Sequence, residues 1–163
     1  MIYFVVALIV FLIDQGTKLM VKNKMVLGES IPIITDLFYL TSHRNAGAAF
    51  GILQNQRWFF IIITIIAVTA IIYYLLKYRH TKKLQSYSLA LILGGALGNF
   101  LDRLLYGEVV DFLDVKIKLG SFHYDYPIFN IADSALVIGV ILMLLDTLRE
   151  SIREMKQNKT ASE

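Results

Sequence analysis

The chain of 163 residues contains no cysteine and only two prolines. Without cysteine there is no disulfide scaffold, no thiol nucleophile, no cysteine–zinc site and no iron–sulfur cluster. The chain also cannot itself carry a lipid on a cysteine. Histidine is scarce: His43, His80 and His123 are too scattered to suggest a zinc site, and no H-E-x-x-H pattern occurs. Charge is low as well, with 18% of residues charged against 56% hydrophobic. Soluble domains average about 25% and roughly 45–50%. So apolar a composition excludes disorder. What remains is a small integral membrane protein for which no cofactor or metal is expected.

The apolar residues that are present fall into four runs. A bilayer core of about 30 Å takes roughly 20 apolar residues as helix, and an open sheet would leave edge groups unpaired in lipid. Runs 58–76 and 84–101 carry no charge, and 126–145 carries only Asp133. Run 2–13 reaches spanning length through Val21, taking in Asp14 and Lys18. It lacks a basic n-region and an A-x-A cleavage site, so it reads as a retained span and not a signal peptide. The expectation is a single all-α membrane domain, 1–163, with spans 2–21, 58–76, 84–106 and 126–146.

Orientation follows from Lys and Arg. Lys77, Arg79, Lys82 and Lys83 crowd the link 77–83, and Arg149, Arg153, Lys156 and Lys159 the tail 147–163. Both are therefore expected to be cytoplasmic, together with the N-terminus. The pI near 9.1 is then an orientation signal, and no basic soluble face is left for nucleic acid. Segments 22–57 and 107–125 are expected outside. The first is punctuated by Gly28, Pro32, Gly47 and Gly51 between apolar stretches, which suits a small β element on the outer leaflet. In the second, alternation around Gly120-Ser121 reads as a short hairpin.

Ionisable groups within spans cost several kcal/mol each and mark functional sites by default. Asp14, Lys18, Asp102, Arg103, Asp111 and Asp133 all fall at the outer leaflet once each span is given its direction. Asp14 and Lys18 are i, i+4 and face one way. So do Asn99, Asp102 and Arg103, while Asn130 and Asp133 are i, i+3. The bland readings are packing for Gly94, Gly95 and Gly98, snorkelling for Lys18, and a structural ion pair for Asp102 with Arg103.

Asp111 and Asp133 differ, because neither has a basic residue three or four positions away. Two such carboxylates sharing a site cannot both ionise easily, and an acid and a base result. That pair suits water activation against an amide, and equally a proton relay in a small proton-coupled transporter. A structural factor whose acids merely pair with Lys18 and Arg103 is a third reading. A serine protease lacks a histidine in any span, and the Gly-x-Gly-Asp motif of presenilin-type proteases is absent.

Five blocks carry a resemblance: Asp14-Gln15-Gly16-Thr17-Lys18; Asn45-Ala46-Gly47-Ala48-Ala49-Phe50; the stretch from Gly94-Gly95 through Asn99 to Asp102-Arg103; Val109-Val110-Asp111-Phe112; and Phe129-Asn130-Ile131-Ala132-Asp133. In this order and spacing the sequence resembles bacterial lipoprotein signal peptidase (signal peptidase II), an aspartyl protease of the membrane. The resemblance implies that Asp111 and Asp133 are catalytic. It also implies that Asp14, Lys18, Asn45, Asn99, Arg103 and Asn130 support the site or bind substrate. The implied substrates are diacylglyceryl-modified prolipoproteins, cleaved before the lipidated cysteine without a metal at the outer face of the cytoplasmic membrane. Membrane lipids are the other expected partners, and a monomer suffices. Residues 22–57 would form a cradle over the site, with the part from Asn45 to Gly51 able to close over it.

Overall fold

A computed structural model describes residues 1–48, 52–119 and 122–161. Four helices occupy the expected runs: α1 Ile2–Lys24, α2 Arg57–Tyr78, α3 Lys83–Tyr106 and α4 Ile131–Ala161. All four are long and apolar enough to cross a membrane. The least apolar of them, α3, is also the most buried, because in lipid the polar helix gains most from protein neighbours. It packs against α1, α2 and α4.

Small residues allow that central position. A Cβ on Gly94 would lie 2.6 Å from the Ala7 carbonyl oxygen of α1, and one on Gly139 2.8 Å from the Ser88 carbonyl oxygen of α3. Without side chains there, the backbones approach closely enough for dispersion contacts to hold the helices in lipid. Tyr3, Ala7, Leu75, Leu89, Ala90 and Leu93 form the apolar core of α1, α2 and α3. Ser86 and Ser88 are buried among them, each hydroxyl bonding the carbonyl four residues earlier. The C-terminus of α3 is closed by Gly107, whose positive φ of 83° lets its N–H reach the Arg103 carbonyl.

The expected β element is a four-stranded antiparallel sheet in the order β1-β2-β3-β4. Its strands are β1 Ser30–Ile34, β2 Phe38–Asn45, β3 Val109–Leu119 and β4 Phe122–Asp125. The expected hairpin is present as β3 and β4, with Leu119 opposite Phe122; its turn, Gly120-Ser121, lies outside the described residues. Strand β3 starts six residues before Val115, the first residue of the expected alternation, and pairs with β2. That pairing brings together two segments more than 60 residues apart in sequence.

The last helix departs from the expected span 126–146 at its start. Residues 126–130 lie outside the helix, which begins at Ile131. Pro127 has no N–H to give a helix. The backbone of Phe129 is held by β3, exchanging hydrogen bonds of 2.8 and 3.0 Å with Leu113. Asn130 is then the N-cap. Its Oδ1 accepts from the Asp133 N–H at 2.9 Å, while the Asp133 carboxylate accepts from the Asn130 N–H at 3.2 Å, a reciprocal capping box.

Candidate active site

Three amide side chains organise the polar layer. Asn45 ends β2, opposite Val109 of β3. Its Oδ1 accepts from the Gly47 N–H at 3.0 Å, which turns its NH2 toward Asp111 Oδ2 at 3.1 Å. Asn130 has its Oδ1 on the Asp133 N–H, so its NH2 faces Asp111 Oδ1 at 2.7 Å. Asn99, on α3, accepts at its Oδ1 from the Lys18 ammonium at 2.9 Å and donates from its NH2 to Asp133 Oδ1 at 2.7 Å. Each amide is oriented by a partner that fixes its carbonyl end. Asp111 and Asp133 therefore receive side-chain hydrogen bonds from neutral donors.

The lysine that might have neutralised them is committed elsewhere. Lys18 does not snorkel; it is 2% exposed, with Asp14 at 2.8 Å and Asp102 at 3.1 Å. The expected Asp102–Arg103 pair is not formed. Asp102 faces α1 and also accepts from the Val110 N–H at 3.1 Å. Arg103, one residue on and so about 100° around the helix, donates to the Gly47 carbonyl at 2.9 Å and lies over the Phe60 ring at 4.5 Å. Asp14 has a second task, since its Oδ1 accepts from the Ala132 N–H at 2.9 Å. It thereby satisfies one of the free donors at the start of α4.

Asp111 and Asp133 both line one cavity of about 400 Å3, with Asn45, Asn99, Arg103 and His43 among its other walls. Among the described residues neither carboxylate forms an ion pair within 4.0 Å. Asp111 is 1% exposed. Burial first, and then the nearby Asp133 charge, push its carboxyl up to about 7 against the pull of its two amide donors. A carboxyl raised so far can give or take a proton near neutral pH.

The eight residues that the resemblance assigned to the site thus meet in one connected network, together with Asp102. Sequence reasoning missed Gln15, whose NH2 donates to Asp14 at 3.2 Å, the Gly98 carbonyl at 3.1 Å and Asp102 at 3.2 Å. Its signal was available: an amide inside a span needs partners, and it adjoins Asp14. Phe60 beneath Arg103 left no such signal, being one aromatic among many. The proposed closing segment is described only in part, since residues 49–51 lie outside the described residues.

A family model described as signal peptidase (SPase) II matches residues 6–149. Among solved structures, a bacterial membrane enzyme determined in meso at 2.3 Å is 42% identical, with a TM-score of 0.81 over 91% of this chain and 88% of that one. A second bacterial membrane enzyme, determined in meso at 1.9 Å, is 43% identical, with a TM-score of 0.75 over 90% and 92% of the two chains.

Proposed function

The chain belongs to the signal peptidase II family of aspartic peptidases, which process lipoprotein precursors, and from that premise we propose that Asp111 and Asp133 are its catalytic dyad. The observation that carries this reading is the pair of carboxylates in one cavity wall, bonded by neutral amides and, among the described residues, free of ion pairs. Family membership selects hydrolysis over proton-coupled transport. The proposed substrate is a diacylglyceryl-modified prolipoprotein, cleaved before its lipidated cysteine.

In the first step Asp133 is ionised and Asp111 protonated. Asp133 takes one proton from a water whose oxygen bonds to the scissile carbonyl carbon. Asp111 gives its proton to the carbonyl oxygen as that oxygen gains charge. In the second step the C–N bond breaks, the amine nitrogen takes the proton held by Asp133, and Asp111 recovers one from the collapsing diol. Both residues end as they began. Arg103, positively charged and held by Gly47 and Phe60 at the cavity wall, binds a substrate carbonyl. Asn45, Asn99 and Asn130 hold the two carboxylates at the spacing the water requires.

The sheet stands on the extracytoplasmic side in this reading, with the basic link and tail in the cytoplasm. A substrate anchored by its own helix and its lipid presents the scissile bond near the headgroups, where water is available. The test is cleavage of a lipidated precursor beside its unlipidated twin by purified protein. Release of signal peptide only from the lipidated form is expected; equal cleavage of both overturns the substrate assignment. Proton-dependent flux without peptide release overturns the enzyme.

A further inference from the structure

Behind the strand that carries Asp111 lies a second opening, of about 240 Å3, between the last turns of α1 and the strands β2 and β3. Strand alternation separates the two spaces: Asp111 lines the polar cavity, and the next residue, Phe112, lines this groove with Leu40. Met20, Val21 and Met25 supply the helix side. Thr17 adds no free polar group, because its hydroxyl bonds the Ile13 and Asp14 carbonyls at 2.9 and 2.8 Å.

One cation stands at the edge of this apolar groove. Lys24 is exposed, and among the described residues its ammonium has no hydrogen bond, ion pair or aromatic ring. Lys22 is already occupied, 3.3 Å above the Tyr106 ring. Depth matters too. Lys24 is 22 steps along α1 from Ile2, roughly 33 Å at about 1.5 Å per residue, close to the thickness of a bilayer core. With Ile2 at one interface, Lys24 stands at the headgroups of the other.

We propose that this groove binds one anionic phospholipid, its acyl chain along Met20, Leu40 and Phe112 and its phosphate on Lys24. An unpaired ammonium at headgroup depth favours a net negative headgroup over a zwitterionic one, whose own cation competes for the phosphate. The apolar walls exclude a free phosphate ion as the ligand. The acyl chain lies against the reverse face of β3, so the lipid braces the strand bearing Asp111. The proposal stands apart from the peptidase reading, because its test reads binding and not cleavage.

Native mass spectrometry of the full chain, released from nanodiscs of equal phosphatidylglycerol and phosphatidylcholine, supplies that test. The unmodified protein should retain phosphatidylglycerol over phosphatidylcholine by about fivefold, the ratio expected of one lysine near a headgroup. Lys24→Gln should abolish the preference, Lys24→Arg should keep it, and Lys22→Gln should leave it in place. No preference in the unmodified protein overturns the proposal. So does an equal loss in Lys22→Gln and Lys24→Gln, which would mark a diffuse basic surface. Met20→Trp, which fills the groove and leaves the charge, should lower retention of both lipids; unchanged retention would likewise overturn the site.

Discussion

Two clusters of carboxylates lie side by side in this protein and differ in one component. Asp14 and Asp102 share a buried lysine, and Gln15 donates to both. Asp111 and Asp133 line an open cavity and share no cation within ion-pair distance among the described residues. Asn99 connects the clusters, with its carbonyl on Lys18 and its NH2 on Asp133. A single lysine therefore divides four acids into two that are ion-paired and two that are bonded by neutral amides. Buried charge is tolerable in the first cluster because it is paired and hydrogen-bonded. In the second, burial raises the Asp111 carboxyl to about 7, which suits the general acid–base role proposed for it.

The comparison breaks most directly at the dyad. Asp111→Asn and Asp133→Asn should each lower cleavage of a lipidated precursor by about 10³-fold or more, within the range for losing a general acid or base. Each protein should stay folded, because an amide can keep one hydrogen bond at either position. Near-normal turnover by either purified variant would sink the assignment. Lys18→Met should do the opposite, with stability falling by about 3–5 kcal/mol because Asp14 and Asp102 are left buried without a cation. Detergent thermal melts check this, and an unchanged melting temperature would show that the lysine does not stabilise the fold.

Much of this division was legible in sequence, and the part that was not has physical causes. The four spans follow from run length, because lipid permits little else. Asp111 and Asp133 stood out because local spacing gave them no basic neighbour, and among the described residues the fold does not supply an ion pair from afar. Spacing failed for Asp102. Asp102 and Arg103 are adjacent, yet a helix turns adjacent residues about 100° apart, one toward α1 and the other toward the cavity. The late start of α4 was also hidden, since 126–130 is apolar enough to continue a span. Its hydrogen bonds to β3, from Tyr126 to Val115 and between Phe129 and Leu113, keep it out of the helix, and pairing between distant segments leaves no local period. The amide network is non-local in the same way: Asn45 meets Asp111 only because β2 pairs with β3.

If Asn99 is the joint between the clusters, removing it should perturb both without destroying either. Asn99→Leu deprives Asp133 of its amide side-chain donor and Lys18 of an acceptor while keeping similar volume. Stability should fall by roughly 1–3 kcal/mol, the usual cost of leaving buried polar groups unmatched. Cleavage should fall by about 10- to 100-fold, the same energy in the barrier. A loss of stability with full activity would show that Asp133 does not depend on the joint.

The last test is a matter of pH, and it separates the clusters without any change in packing. Folding raises the Asp111 carboxyl to about 7, whereas an unfolded chain releases that proton near about 4. Between those values the folded state binds the extra proton, so the Asp111 contribution is fully present at the acid end. It declines as pH rises toward about 7 and is level above it. Melting temperatures of the unmodified protein should therefore lose ground to Asp111→Asn from pH 4 to 7 and run parallel beyond. Turnover should also fall on the alkaline side of about 7, as Asp111 gives up the proton it must donate. A pH-independent gap between the two melting curves would mean that Asp111 enters the folded protein with its ordinary acidity. The distinction between the paired and unpaired carboxylates would then be one of geometry alone.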